Sequence, residues 1–131
     1  MAYLPPTIGD VAGEVKQSLT RGDEAEARRL SFRFVELYDR ATEAERRVMV
    51  SDAPASTTDP RFDALLAGLV EFQSARHGAQ APTWVDEPER FLDVWWFVSG
   101  MRTLHANAIA HSPISLARRG VFLTENALTY A

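Results

Sequence analysis

Histidine, serine and a run of carboxylates are the residues of this chain whose chemistry could be catalytic. His105 and His111 stand six residues apart, and His77 is remote from both. Zinc-protease chemistry needs two histidines one helical turn apart with a glutamate between them. No such arrangement occurs, so the economical reading of all three is a capping or solvent-facing role, with no metal. Ser112 precedes Pro113 at an expected helix start and lacks the glycine-flanked elbow of a serine nucleophile, so it reads as a cap. Asp86, Glu87, Glu89 and Asp93 cluster beside tryptophans, where an apolar setting could raise a carboxyl pKa for acid–base work. Acids at a helix start are also what the helix dipole favours, and that is the reading preferred here. The chain has no cysteine, which excludes disulfides, thiolate metal sites and thiol nucleophiles. No phosphate loop or dinucleotide fingerprint is present, and no cofactor is expected.

The basic residues are almost all arginine: Lys16 is the one lysine among 14 lysines and arginines, against 18 acids. The resulting net charge of −4 argues against broad attraction to nucleic acid or to an anionic membrane. Arg28, Arg29, Arg33, Arg40, Arg46 and Arg47 fall on the expected second and third helices, and DNA binding through them is the second reading of function. A recognition helix would need exposed basic and polar residues after a tight turn, and the short third helix is acidic at its start and apolar at its end. Pairing with Glu24, Glu36 and Asp39 at helical spacing explains the second helix better. A small helical enzyme using the acids from Asp86 to Asp93 is the third reading.

Aromatic residues carry the leading one. All three tryptophans, and five aromatic residues in all, lie between Trp84 and Phe97. Trp84, Phe91, Trp95, Trp96 and Phe97 cannot all be buried in a core of this size without crowding. Adjacent side chains diverge on a helix and oppose each other on a strand, so one of Trp95 and Trp96 should approach the surface. An exposed tryptophan with Arg102, Arg118 or Arg119 nearby has the composition of a protein-contact hot spot. The expected partner-binding set is therefore Trp84, Trp95, Trp96, Arg102, Arg118 and Arg119.

The elements that must hold these residues are helices. Thr7 with Asp10, and Thr42 with Glu45, form capping boxes for the first and third helices. Asp23 caps a second helix running to about Arg40. Asp59-Pro60 opens the most apolar helix, which ends near His77-Gly78. After a loop over residues 78–82, Pro88 starts a short helix through Leu92. Val94–Val98 has no polar residue and reads as buried helix or extended chain, since no second convincing strand exists to pair with it. Gly100–Ala110 reads as helix with Met101, Leu104, Ala108 and Ile109 inward. Ser112-Pro113 opens a short helix with Arg118 and Arg119 in its last turn, and Gly120 ends it. Val121–Leu123 is extended, and Thr124-Glu125 begins a final turn. The expected fold is all-α, a compact bundle of about six to seven helices with no significant sheet. Its 131 residues suit one domain, with a subdivision at 1–77 and 82–131. No run is long and apolar enough for a membrane span, and the N-terminus lacks signal-peptide character, so a cytoplasmic protein is expected.

Pro82-Thr83-Trp84, Arg90-Phe91-Leu92-Asp93, Trp95-Trp96-Phe97-Val98, Ser112-Pro113 and Arg118-Arg119-Gly120-Val121-Phe122-Leu123 occur in a fixed order. Together they resemble a C-terminal helical segment found in small actinobacterial proteins. Some of these carry a helix-turn-helix in front of it and look like antitoxins or regulators, similar to partners of nucleotidyltransferase-like toxins. Before Gly78 this chain shows no such DNA-binding motif. The resemblance implies an all-helical, cytoplasmic, non-enzymatic protein that binds another protein, such as a toxin. The same aromatic patch could also serve a homodimer.

Overall fold

The computed structural model describes residues 4–98 and 105–123, together with Leu128. Six helices and a two-stranded ribbon make it up: α1 Ile8–Thr20, α2 Glu24–Arg40, α3 Glu43–Val50, α4 Pro60–Arg76, β1 Trp96–Phe97, α5 His105–His111, α6 Ile114–Ala117 and β2 Val121–Phe122. Two 3-10 turns, Thr83–Asp86 and Pro88–Arg90, lie between α4 and β1. Arg102, Met101, Leu104 and the expected turn at Thr124-Glu125 lie outside the described residues.

Local chemistry starts each long helix. Thr7 and Asp10 cap α1 reciprocally, and Thr42 and Glu45 do the same for α3, each box satisfying two otherwise orphaned N–H groups. Asp23 accepts from the Glu26 amide at the start of α2. At the start of α4, Asp59 accepts from Arg61 N, with Pro60 in the first helical position. Gly22, at φ 76°, turns the chain so that α2 folds back on α1.

α4 is the axis of the molecule. Phe62, Ala64, Leu65, Leu66, Ala67, Leu69 and Val70 are all buried, so its whole circumference is covered. α1 and α2 pack on one side, with Ile8, Val11, Val15, Phe34 and Tyr38 in the shared core. The 3-10 turns, α6 and β2 cover the other. Gly68 lets α6 press close, because a Cβ there would fall 3.1 Å from Leu116 Cγ and 3.3 Å from the Ser115 carbonyl. At the head of α4 the buried Asp63 carboxylate accepts from Ser56 Oγ, Thr57 N and Thr57 Oγ1, which fastens the preceding loop.

The largest departure from expectation is the 94–98 segment. Of its two readings, buried helix or extended chain, the extended one holds, but it does have a partner: β1 pairs with β2 in parallel, Trp96 opposite Val121 and Phe97 opposite Phe122. A parallel pair needs a crossover, here supplied by the α5–α6 stretch, and leaves no local turn signal to read. The segment is not uniformly buried either, since Val94 is 78% exposed. Ile109, expected inward, is 51% exposed, while Ala108 is buried as expected. Ser112 does not cap α6. Its hydroxyl donates to Ala108 O and accepts from Leu123 N at 2.8 Å, tying the end of α5 to the strand after α6. Gly120, at φ 81°, makes the sharp turn from α6 into β2 that no residue with a side chain takes easily.

Candidate functional site

The ribbon divides the aromatic residues between two faces. Strand alternation sends Trp96 and Val98 one way and Trp95 and Phe97 the other. Trp96 goes inward onto Phe62 of α4, ring centroids 5.2 Å apart. Arg61 lies over its indole at 5.0 Å, and the same guanidinium bonds Asp59 at 2.8 Å and Glu24 at 3.1 Å. These two carboxylates hold Arg61 firmly protonated and fix it as a clamp between α2, α4 and β1. Trp96 is therefore a half-buried structural residue.

The opposite face carries a row of rings. Phe122 of β2, nearly buried, forms its floor. Trp95 packs on it from one side at 4.9 Å, and Phe97 stacks on it from the other at 5.2 Å. His105 then stacks on Phe97 at 3.8 Å, with planes 11° apart. The indole of Trp95 is 62% exposed and sits beside Gly120, where a Cβ would lie 3.6 Å from its Cδ1. Solvent thus meets an indole that is supported from beneath but not enclosed. This is an exposed apolar step on an aromatic base.

The other expected contact residues lie elsewhere. Trp84 is only 7% exposed and donates its indole N–H to Val50 O at 2.8 Å, with the buried Arg90 over its ring at 5.1 Å. Arg119 is fully buried. It donates to the carbonyls of Ser115 and Val85 and pairs with Glu71 at 3.0 Å. Neither can touch a partner while the fold is intact, because each is consumed in closing the C-terminal segment onto α4. Arg118 is exposed but engaged, bridging Glu71 and Asp86. Both arginines stack on Phe91, at 5.1 and 4.8 Å. Burial alone would push the Glu71 carboxyl up, but hydrogen bonds and charge from Arg118 and Arg119 outweigh it and hold it below the ordinary carboxylate value. Desolvation pushes Arg119 down, and its Nε has no partner among the described residues.

Of the expected set, only Trp95 offers an unengaged surface, and Arg102 lies outside the described residues. Compared with family models, with characterised proteins and with solved structures, this chain matches none.

The residues read as chemically capable are placed as follows. Asp86 is held by Arg118 and Glu87 by Arg90, while Glu89 and Asp93 face solvent. His77 Nε2 meets Asp39 Oδ1 at 2.7 Å at the end of α4. No group of three or more His, Asp or Glu side chains converges among the described residues. Four arginines of α2 and α3 pair within their own helices: Arg28 with Glu24, Arg29 with Glu26, Arg40 with Glu36 and Arg47 with Glu43, while Arg33 is exposed. Arg46 is turned back onto the carbonyls of Tyr38 and Asp39, at 2.8 and 2.9 Å, closing the end of α2. The largest contribution that residue-by-residue reading missed is Phe122. Its partnership with Trp95 and Phe97 is readable only once β1 and β2 are known to pair.

Proposed function

We propose that this protein is a non-enzymatic protein-binding module, antitoxin-like or accessory in role, acting by steric contact through the outer face of the β1–β2 ribbon. The observation that carries this reading is Trp95. A large indole is left mostly in water although Phe122, itself backed by Phe97, supports it from beneath. Such a residue is preorganised: covering it releases apolar surface from water while little side-chain freedom remains to be lost. An indole at the centre of a contact carries about 2 kcal/mol or more, roughly a thirtyfold change in affinity.

The test is capture from native lysate by the full chain and by its Trp95→Ala variant, with melting temperature measured on both. A partner retained by the first, lost by the second, and unaccompanied by any loss of fold supports the reading. Equal capture by both refutes it.

DNA binding through α2 and α3 draws less support, because Arg28, Arg29, Arg40, Arg46 and Arg47 already have carboxylate or carbonyl partners that phosphates would have to displace. Affinity falling steeply with salt would restore it.

A further inference from the structure

The two edges of the ribbon are treated differently. Beyond β2, the Leu123 amide is satisfied by Ser112 Oγ, so that side is closed by the α5–α6 corner. On β1, the Trp96 and Val98 amides are spent on Gly120 O at 2.8 Å and Phe122 O at 3.0 Å. Alternation then turns the Trp95 and Phe97 amides away from β2. Among the described residues neither amide meets an acceptor. The edge they form belongs to the sequence Val94-Trp95-Trp96-Phe97-Val98, which is all β-branched or aromatic. Proteins blunt such edges with lysine, proline or a bulge, and this segment has none of these. A parallel pair of this length is also marginal unless something extends it.

Charge selects the occupant. Asp86 and Glu87 are neutralised by Arg118 and Arg90, but Glu89 and Asp93, which lead into β1, are exposed and have no ion pair among the described residues. In a two-fold pairing of two copies the β1 strands run antiparallel, so the acids of each copy lie at opposite ends of the joined edge and gain no basic partner from one another. A segment with basic ends would instead neutralise them.

We propose that the outer edge of β1 accepts an extended, basic-ended apolar segment of another protein as a third strand. Its backbone would pair with the amides of Trp95 and Phe97, and its β-branched side chains would lie against the Trp95 indole. This rests on the ribbon's outer face being the contact surface, and it adds backbone pairing and partner charge to that reading.

The probe is a synthetic peptide of alternating valine and threonine with a lysine at each end, and its control carries glutamates in place of the lysines. Amide hydrogen exchange is followed by NMR on the full chain. In the free chain the Trp95 and Phe97 amides should exchange fast, and the lysine-ended peptide should slow both by about tenfold or more. The glutamate-ended peptide should bind at least about tenfold more weakly, a penalty that shrinks as salt rises. Trp95→Pro, which removes an outward amide and leaves those of Trp96 and Val98 in place, should weaken binding further than Trp95→Ala does.

Four results would overturn the proposal. These are amides already slow in the free chain at every concentration, amides slowed by raising the concentration of the chain alone, equal binding of the two peptides, and no slowing of either amide by peptide. If neither amide slows while a lysate partner is still lost on Trp95→Ala, strand addition falls and the contact surface stands.

Discussion

Replacing Gly68 with alanine adds one methyl group where α6 crosses α4, and the structure fixes the sign of its effect. The new carbon would lie 3.1 Å from Leu116 Cγ and 3.3 Å from the backbone oxygen of Ser115, and nearer still to Leu116 Cδ2. Carbon atoms in contact prefer about 3.5–4.0 Å. Leu116 is fully buried, so its branch cannot swing into solvent, and a backbone carbonyl yields only if α6 moves. Alanine in a helix interior is worth about 1 kcal/mol over glycine. Overpacking of a filled core costs about 1–3 kcal/mol, and here both a side chain and a backbone atom must give. The net expectation is a loss of about 1–2 kcal/mol, which for a chain this long lowers Tm by roughly 4–8 °C. Gly13 supplies the control. It is exposed on α1, and a Cβ there meets nothing within 4 Å. Gly13→Ala should therefore raise stability by about 0.5–1 kcal/mol. Urea and thermal unfolding, followed by circular dichroism, measure both. A Gly68→Ala protein as stable as its parent would refute the close seating of α6, and with it the route by which α4 positions β2.

Glu71→Gln removes the charge facing buried Arg119 and should cost about 2 kcal/mol at neutral pH. The Glu71 pKa is lowered on folding, so its contribution is complete above the ordinary value of 4.5 and is lost as pH falls through the folded value. The stability gap between parent and variant should accordingly narrow in acid unfolding below that pH, and a gap independent of pH would contradict the pairing. Trp84→Phe leaves Val50 O without its indole donor and should lower stability by about 1–2 kcal/mol in urea melts. Thr58 is exposed at φ 72°, a region costly for a β-branched residue, so Thr58→Gly should stabilise the chain by roughly 0.5–1 kcal/mol, read as a rise in the urea midpoint. Trp95→Ala should change stability by less than about 1 kcal/mol, because the ring is mostly in water, whereas Trp96→Ala should cost about 3 kcal/mol.

The N-terminal helices were legible because their starts are written locally. Thr7, Asp23, Thr42 and Asp59 each act on an amide two or three residues away, so type and spacing suffice. The apolar helix 60–76 was legible for a different reason, since hydrophobic side chains all round a helix leave burial as its only setting. The C-terminal third was harder because its organisation is non-local. Nothing near Val94 says that residue 121 will lie beside Trp96, and without that pairing a run of apolar residues looks like core. Exposure of one member of the Trp95-Trp96 pair followed from geometry alone, but which one depends on Phe62 and Arg61 waiting beneath Trp96. Arg119 shows the opposite difficulty. Arginine beside a helix end reads as surface, and only the acceptors at Ser115, Val85 and Glu71 make its full burial tolerable.

The ribbon also imposes an order of assembly. Its strands are joined through two helical segments, and β2 follows directly on α6, whose Leu116 seats against Gly68 of α4. Helices α1 to α4 can gather from neighbours in sequence, whereas the ring floor under Trp95 arrives only with Phe122, after α5 and α6 have been made. Until residue 122 has been made, Trp95 has no ring beneath it, so the aromatic row is completed only after the helices that carry β2 to β1.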